Sequence, residues 1–272
     1  MKLSIFQIDA FTNRPFGGNP AAVVPLDAWL PDDIMQNIAL ENNLSETAFF
    51  VRQDDGYGLR WFTPTFEIDL CGHATLATAF VLFDQLGATE PVLRFHSKSG
   101  MLTVERDGDK LVLDFPSRPA ARADAPEGLV AAIGREPIEI YRSRDYMLVY
   151  ESEDDIRSIS PDFSSLAKIR THAVIVTAPG EECDFVSRFF APEAGINEDP
   201  VTGSAHCNLI PFWAEKLGKT EMFARQLSSR GGELFCKHAG ERVKIGGHAT
   251  LYLKGEIFVE VSSQSSRSAQ NI

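Results

Sequence analysis

Residues 73–86 of this 272-residue chain put apolar side chains on nearly every face of a helix: Ala74, Leu76, Ala77, Ala79, Phe80, Val81, Leu82, Phe83 and Leu86, with Gly87 to close it. A helix without a polar face is stable only when it is buried, so the strands on either side of it in sequence must wrap it. A second apolar run spans about 204–217 (Ala205, Leu209, Ile210, Phe212, Trp213, Ala214, Leu217) and stops at Gly218. Pro211 inside it predicts a kink or a late start. Two such helices half a chain apart predict an α+β fold of two similar domains. Each is a mostly antiparallel, barrel-like sheet around its central helix, with the active site in the cleft between them.

Alternation predicts strands over 3–11, 21–25, 47–52, 59–62, 92–96, 101–106 and 110–115 in the first half. In the second half it predicts them near 138–141, 146–150, 172–177, 184–190, 225–230, 233–237, 241–246 and 249–261. Pro31 with Asp32 and Asp33 opens a helix over 31–42, with Leu30, Ile34 and Ile38 as its apolar stripe. Residues 116–126 are rich in Pro, Ala and Arg without periodicity and read as the interdomain linker. The expected units are therefore 1–116 and 117–261, followed by a Ser/Gln-rich tail, 262–272, expected to be disordered.

The string Gly-His-Ala-Thr-Leu occurs twice, at 72–76 and 247–251. The first copy runs on without alternation or turn residue and opens a helix. The second is followed by an alternating stretch broken at Lys254-Gly255-Glu256 and reads as a hairpin. His73 thus has a helix-start context that His248 lacks.

Composition narrows the function classes. A net charge of −12 suits neither nucleic acid nor an anionic membrane surface, both of which need a cationic footprint. No stretch approaches the roughly 20 apolar residues of a membrane span, and the N-terminus lacks the pattern of a signal peptide. Cys71, Cys183, Cys207 and Cys236 show no C-x-x-C spacing and read as free thiols of a cytoplasmic protein. Adjacent His206 and Cys207 point to different helix faces and chelate poorly, so no metal site is expected.

Both apolar helices start at a glycine beside polar residues: Cys71-Gly-His-Ala-Thr75 and Asp199-Pro-Val-Thr-Gly-Ser-Ala205. Helix starts expose backbone N–H groups and the positive end of the dipole, so two of them facing one cleft suit a small carboxylate. Gly72 and Gly203 permit close backbone approach, and Thr202 and Ser204 add hydroxyls; ordinary turn and cap chemistry accounts for the same residues. Glu46 borders an apolar strand, and desolvation brings a carboxyl toward the range useful for proton transfer. A solvated rim acid fits the same position. His73 is equally a satisfied buried histidine or a proton relay. Asp199, held extended by Pro200, is either a capping acid or an orienting group.

These segments, taken in order, resemble the PhzF-like isomerase family of phenazine biosynthesis. The resemblance is carried by Phe6-Gln-Ile-Asp-Ala-Phe-Thr12, Phe16-Gly-Gly-Asn-Pro-Ala-Ala-Val-Val24, Asn43-Leu-Ser-Glu-Thr-Ala-Phe49 and Arg60-Trp-Phe-Thr-Pro64. It continues through Cys71–Ala77, Glu198–Ala205, Gln226–Gly232 and Val243–Gly247, nearly the length of the chain. It implies a diaminopimelate-epimerase-like fold, a homodimer, no cofactor, and a proton shift that moves a double bond in a substrate such as 2,3-dihydro-3-hydroxyanthranilate. Glu46 falls on the family's catalytic acid, and His73, Asp199 and Ser204 on its partners. Asn19, Ser45, Gly72, Thr202 and Gly203 join Ser204 as candidate substrate-binding residues. A rival on the same fold is an amino-acid epimerase or racemase with two opposed thiols. Cys71 fits the first position, but Pro200 occupies the second, and Cys207 lies too far along the helix. A catalytically silent binding or interaction protein is the other rival.

Overall fold

The computed structural model describes residues 1–260; the tail expected at 262–272 lies outside them. The first half runs β1 (Lys2–Ala10), β2 (Asn19–Leu26), α1 (Asp32–Asn42), β3 (Glu46–Gln53), β4 (Gly56–Phe62), β5 (Glu67–Ile68), α2 (Gly72–Phe80), β6 (Val92–Ser97), β7 (Gly100–Asp107) and β8 (Lys110–Pro116). The second runs β9 (Ala121–Arg122), α3 (Leu129–Ile133), β10 (Glu139–Arg142), β11 (Tyr146–Val149), α4 (Glu153–Ser158), α5 (Phe163–Leu166), β12 (Val174–Pro179) and β13 (Phe185–Phe190). After a single turn at Gly203–Ala205 come α6 (His206–Leu217), β14 (Glu221–Gln226), β15 (Gly232–Ala239), β16 (Arg242–Gly247) and β17 (Ala249–Phe258).

The pairing is mostly antiparallel, with parallel contacts at β2–β3, β4–β6, β11–β12 and β13–β14. Strand β8 pairs with β16, so one hydrogen-bonded network joins the two halves. Both all-apolar runs are buried helices wrapped by strands. Every residue of α2 from Gly72 to Ala79 is buried, and its last turn loosens into a π-type turn, with the Leu86 N–H donating to Val81 O at 3.0 Å. In α6, Pro211 costs no lost end: the helix starts late, after the tight turn, and Gly218 at φ +67° closes it.

Several expectations need correction. Pro31 precedes the first turn of α1, and the buried face is Met35, Ile38 and Ala39, with Leu30 and Ile34 only half-buried. The strand expected at 225–230 lies at 221–226, because Ser228–Gly231 makes a turn: Gly231 has φ +64° and its N–H donates to Ser228 O at 3.1 Å. Lys254-Gly255-Glu256 does not turn either. Strand β17 passes straight through it and pairs with β1, Gly255 opposite Ile5. So no hairpin forms after His248, and residues 249–258 join the sheet around α2. His248 is half-buried against the Phe235 ring and lies 3.2 Å from Asp109. The segment after Pro116 is pinned, since Ser117 N–H donates to Glu241 O and Arg118 N–H to Cys207 O, each at 2.8 Å.

Candidate active site

The two helix starts meet at the mouth of a cavity of about 830 Å³ between the halves. Cys71 is extended (φ −140°, ψ 117°) before α2 begins at Gly72, and Thr202 is extended before the turn at Gly203. A Cβ on Gly72 would sit 3.4 Å from the Cα of Gly203, and one on Gly203 would sit 3.5 Å from the Cα of Gly72. The two backbones thus stand about one methyl group apart, with no room for a larger side chain between them. The first-turn N–H groups of both starts lack carbonyls within their own helices and remain available to an anion.

Glu46 reaches the cavity because Asn43 ends α1 in the left-handed region (φ 50°) and turns Leu44 and Ser45 along the wall. It opens β3, in parallel register with Ala21 of β2. His73 Nε2 lies 3.0 Å from Glu46 Oε2, and both side chains are more than nine-tenths buried. The ring N–H does not aim along that line, so neither atom has an aligned hydrogen-bond partner within the protein. Burial pulls the His73 imidazole down, but the Cys71 sulfur and the Glu46 carboxylate against its two nitrogens outweigh burial and hold it well above its usual value. Nε2 therefore faces both Glu46 and whatever enters the cavity.

Behind this pair stands Asn19. Its Nδ2 donates to Asp199 Oδ1 at 2.8 Å and to Val201 O at 2.9 Å, and lies 3.2 Å from His73 Nδ1. Asp199 also accepts from the Thr202 hydroxyl. Gln226 braces the same loop, with Nε2 to Asp199 O at 2.8 Å and Oε1 accepting from Thr202 N–H at 2.8 Å. Burial pushes the Asp199 carboxyl up to about 6, the Glu46 charge adds to this, and His73, Thr202 and Asn19 pull against it. His206, on the first turn of α6, has Nδ1 2.9 Å from Thr202 O, and burial lowers it to about 4, so it is neutral.

Glu46, His73, Asp199, Ser45, Gly72, Thr202, Gly203 and Ser204 all line the one cavity. Asn19 does not; it is fully buried and orients His73 and Asp199 from behind. Sequence reasoning missed Arg118 and Arg144, which supply the cationic wall of the second half, and His172 beside them. The only signal for Arg118 was an arginine in the segment read as a linker.

Glu46, Cys71 and His73 bring ligand atoms within 4.8 Å of one another. The imidazole stands between the other two: Cys71 Sγ is 3.5 Å from Nδ1, while Glu46 faces Nε2. That arrangement fits a hydrogen-bonded relay better than one ion taking all three. Burial, then the Glu46 charge, push the Cys71 thiol up to about 11, so it is protonated. Across the cleft from Cys71 the wall is Asp199, Thr202, Gly203 and Ser204, without a second thiol, as a two-thiol racemase would need. Cys207 is buried in α6.

A profile of the phenazine biosynthesis-like protein family, PhzC-PhzF, matches residues 8–255. An "uncharacterized isomerase" of Pseudomonas aeruginosa is 53% identical over 257 residues, 94% of this chain and 99% of that protein. The crystal structure of a PhzF-family phenazine biosynthesis protein from Enterococcus faecalis superposes with a TM-score of 0.93 at 50% identity, covering 95% of this chain and 100% of that one. The fold extends to a probable proline racemase from Agrobacterium radiobacter, with a TM-score of 0.61 at 10% identity over 96% of this chain and 93% of that one.

Proposed function

The chain belongs to the PhzC-PhzF family of isomerases, and we propose that it catalyses a cofactor-independent proton shift on a small carboxylate-bearing substrate. The observation that carries this reading is the Glu46–His73 pair: two buried polar atoms 3.0 Å apart, unpartnered within the protein, beside two helix starts. A buried polar atom without a partner is costly unless a ligand supplies one.

In this reading the N–H groups at Gly72–His73 and Gly203–Ser204 hold the carboxylate, with Ser45 and Thr202 contributing hydroxyls. Glu46 removes a proton from an sp3 carbon of the substrate. The electron pair of that C–H bond forms a new double bond to the neighbouring carbon, and the pair of the old double bond takes the proton back from Glu46 at its far carbon. His73 donates from Nε2 to the substrate's polar substituent, and Asp199 fixes the charge and orientation of the histidine. Glu46, His73 and Asp199 are thus the proposed catalytic residues. A 2,3-dihydro-3-hydroxyanthranilate-type acid is the first substrate to try. A homodimer in the cytoplasm completes the proposal. Exposed Phe16 and Tyr252, in edge-to-face contact with ring centroids 5.7 Å apart, offer it apolar surface.

Proton NMR in D2O with 2,3-dihydro-3-hydroxyanthranilate tests the reading. Deuterium entering an isomerised product is the expected result. Absence of both isomerised product and exchange over hours at high enzyme concentration, with this acid and with a panel of related unsaturated carboxylates, overturns it.

A further inference from the structure

The cleft has a second pole that the proton shift does not use. Arg118 and Arg144 both line it, on segments far apart in sequence. The side chain of Asn208, buried in α6, ties those segments together, donating to Arg118 O at 2.6 Å and to Ser143 Oγ at 2.5 Å. Arg118 N–H is fixed to the same helix through Cys207 O. The Arg144 guanidinium is in turn clamped side-on by Asp145, which accepts from Nε at 3.1 Å and from Nη2 at 3.0 Å. Asp145 is 2% exposed and also meets His172 Nδ1 at 2.8 Å. This clamp leaves the Nη1 edge of Arg144 free. Arg118 has no carboxylate partner among the described residues. In a chain of net charge −12, two arginines brought to one cavity, one clamped by a buried carboxylate and the other on backbone tied to α6, are a built feature.

The volume agrees. About 830 Å³ lies in the upper part of the range of about 300–1,000 Å³ that holds drug-sized ligands, so one small ring with one carboxylate leaves much of it unfilled. Guanidinium forks match the planar carboxylate with paired N–H donors. The pole offers neither the lysine nor the helix start that commonly gathers a phosphate.

We propose that Arg118 and Arg144 form a second carboxylate subsite and that the physiological substrate is a dicarboxylate, one carboxylate at the helix starts and the other at this arginine pair. The proposal rests on the isomerase reading only for the first carboxylate. Asp145 and Asn208 are positioning residues.

Calorimetric titration of the full chain decides it. The probes are the straight-chain diacids from succinate to suberate, each paired with the monoacid of the same carbon number. At least one diacid should bind about tenfold or more tighter than its monoacid, and Arg118→Met and Arg144→Met should each collapse that ratio toward one. Asp145→Asn should lower the ratio and Arg118→Lys should retain part of it, as no merely structural role would. A ratio near one at every length overturns the proposal. So does parallel weakening of both members of every pair in the arginine variants, which would assign the arginines to the first carboxylate. Diacid preference without solvent exchange would sink the isomerase reading and leave the subsite; exchange without diacid preference would do the reverse.

Discussion

Gly72 and Gly203 face each other so closely that a methyl group on either would touch the other's Cα, at 3.4 and 3.5 Å. Alanine just fits such a gap; a branched side chain does not. Gly72→Ala should fold with little change in melting temperature, whereas Gly72→Val should force the helix starts apart. A drop of several degrees in Tm and at least tenfold weaker monocarboxylate binding are expected for valine, read by calorimetry.

Glu46→Gln removes the proton acceptor and keeps the shape. Turnover should fall by about 10²–10⁴-fold, while carboxylate affinity changes little. An equal loss of binding would mean that Glu46 holds the ligand and does not move the proton.

Asn19 touches no ligand in this picture, yet it donates to Asp199 and lies against the His73 ring. Asn19→Ala should lower kcat by about 10–100-fold with KM little altered. It should also shift the acid limb of the pH–rate profile, because Asp199 loses a donor to its charged form. An unchanged profile would reduce Asn19 to a packing residue.

Asp199 and His206, both buried against Thr202, give opposite pH trends in stability. The Asp199 carboxyl ionises at 3.8 when unfolded and at about 6 in the fold. Its contribution is full below the unfolded value and is lost as pH rises through about 6, a loss on the order of 3 kcal/mol. His206 runs the other way: lowered from 6.5 to about 4, it loses stability as pH falls through that window, because the unfolded chain takes up the proton first. Urea unfolding across that span should show the alkaline loss disappearing in Asp199→Asn and the acid loss disappearing in His206→Gln. A wild-type difference from each variant that does not vary with pH would refute the corresponding assignment.

The relay arrangement of Glu46, His73 and Cys71 predicts that EDTA leaves turnover unchanged. Restoration of a lost rate by one added divalent ion would put a metal among those three atoms.

What the sequence made legible was whatever periodicity or local chemistry encodes. The all-apolar runs at 73–86 and 204–217 had to become wrapped helices, and Gly72 and Gly203 stood beside helix starts because local rules demand it. Glu46, His73 and Asp199 entered chiefly through resemblance, since a rim acid and a buried histidine look the same in one dimension. The short helices α3, α4 and α5 span five, six and four residues, too few for a periodic signal. The arginine pole was invisible for a different reason. Its assembly depends on Asn208 bonding to residues 90 and 65 positions away, and no local pattern announces such a tie. The misread turn at Lys254-Gly255-Glu256 has the same cause, for only the distant β1 decides that the chain stays extended there.

That pairing governs how the protein is made. Strand β1 leaves the ribosome long before its partner β17, with Lys2 opposite Phe258. The sheet around α2 therefore stays open along one side of β1 until β17 has been made, exposing an unpaired strand rich in apolar side chains. Closing a contact across nearly the whole chain is slow. Nascent and truncated forms ending before residue 249 should accordingly be the ones that chaperones hold and that aggregate when chaperones are scarce.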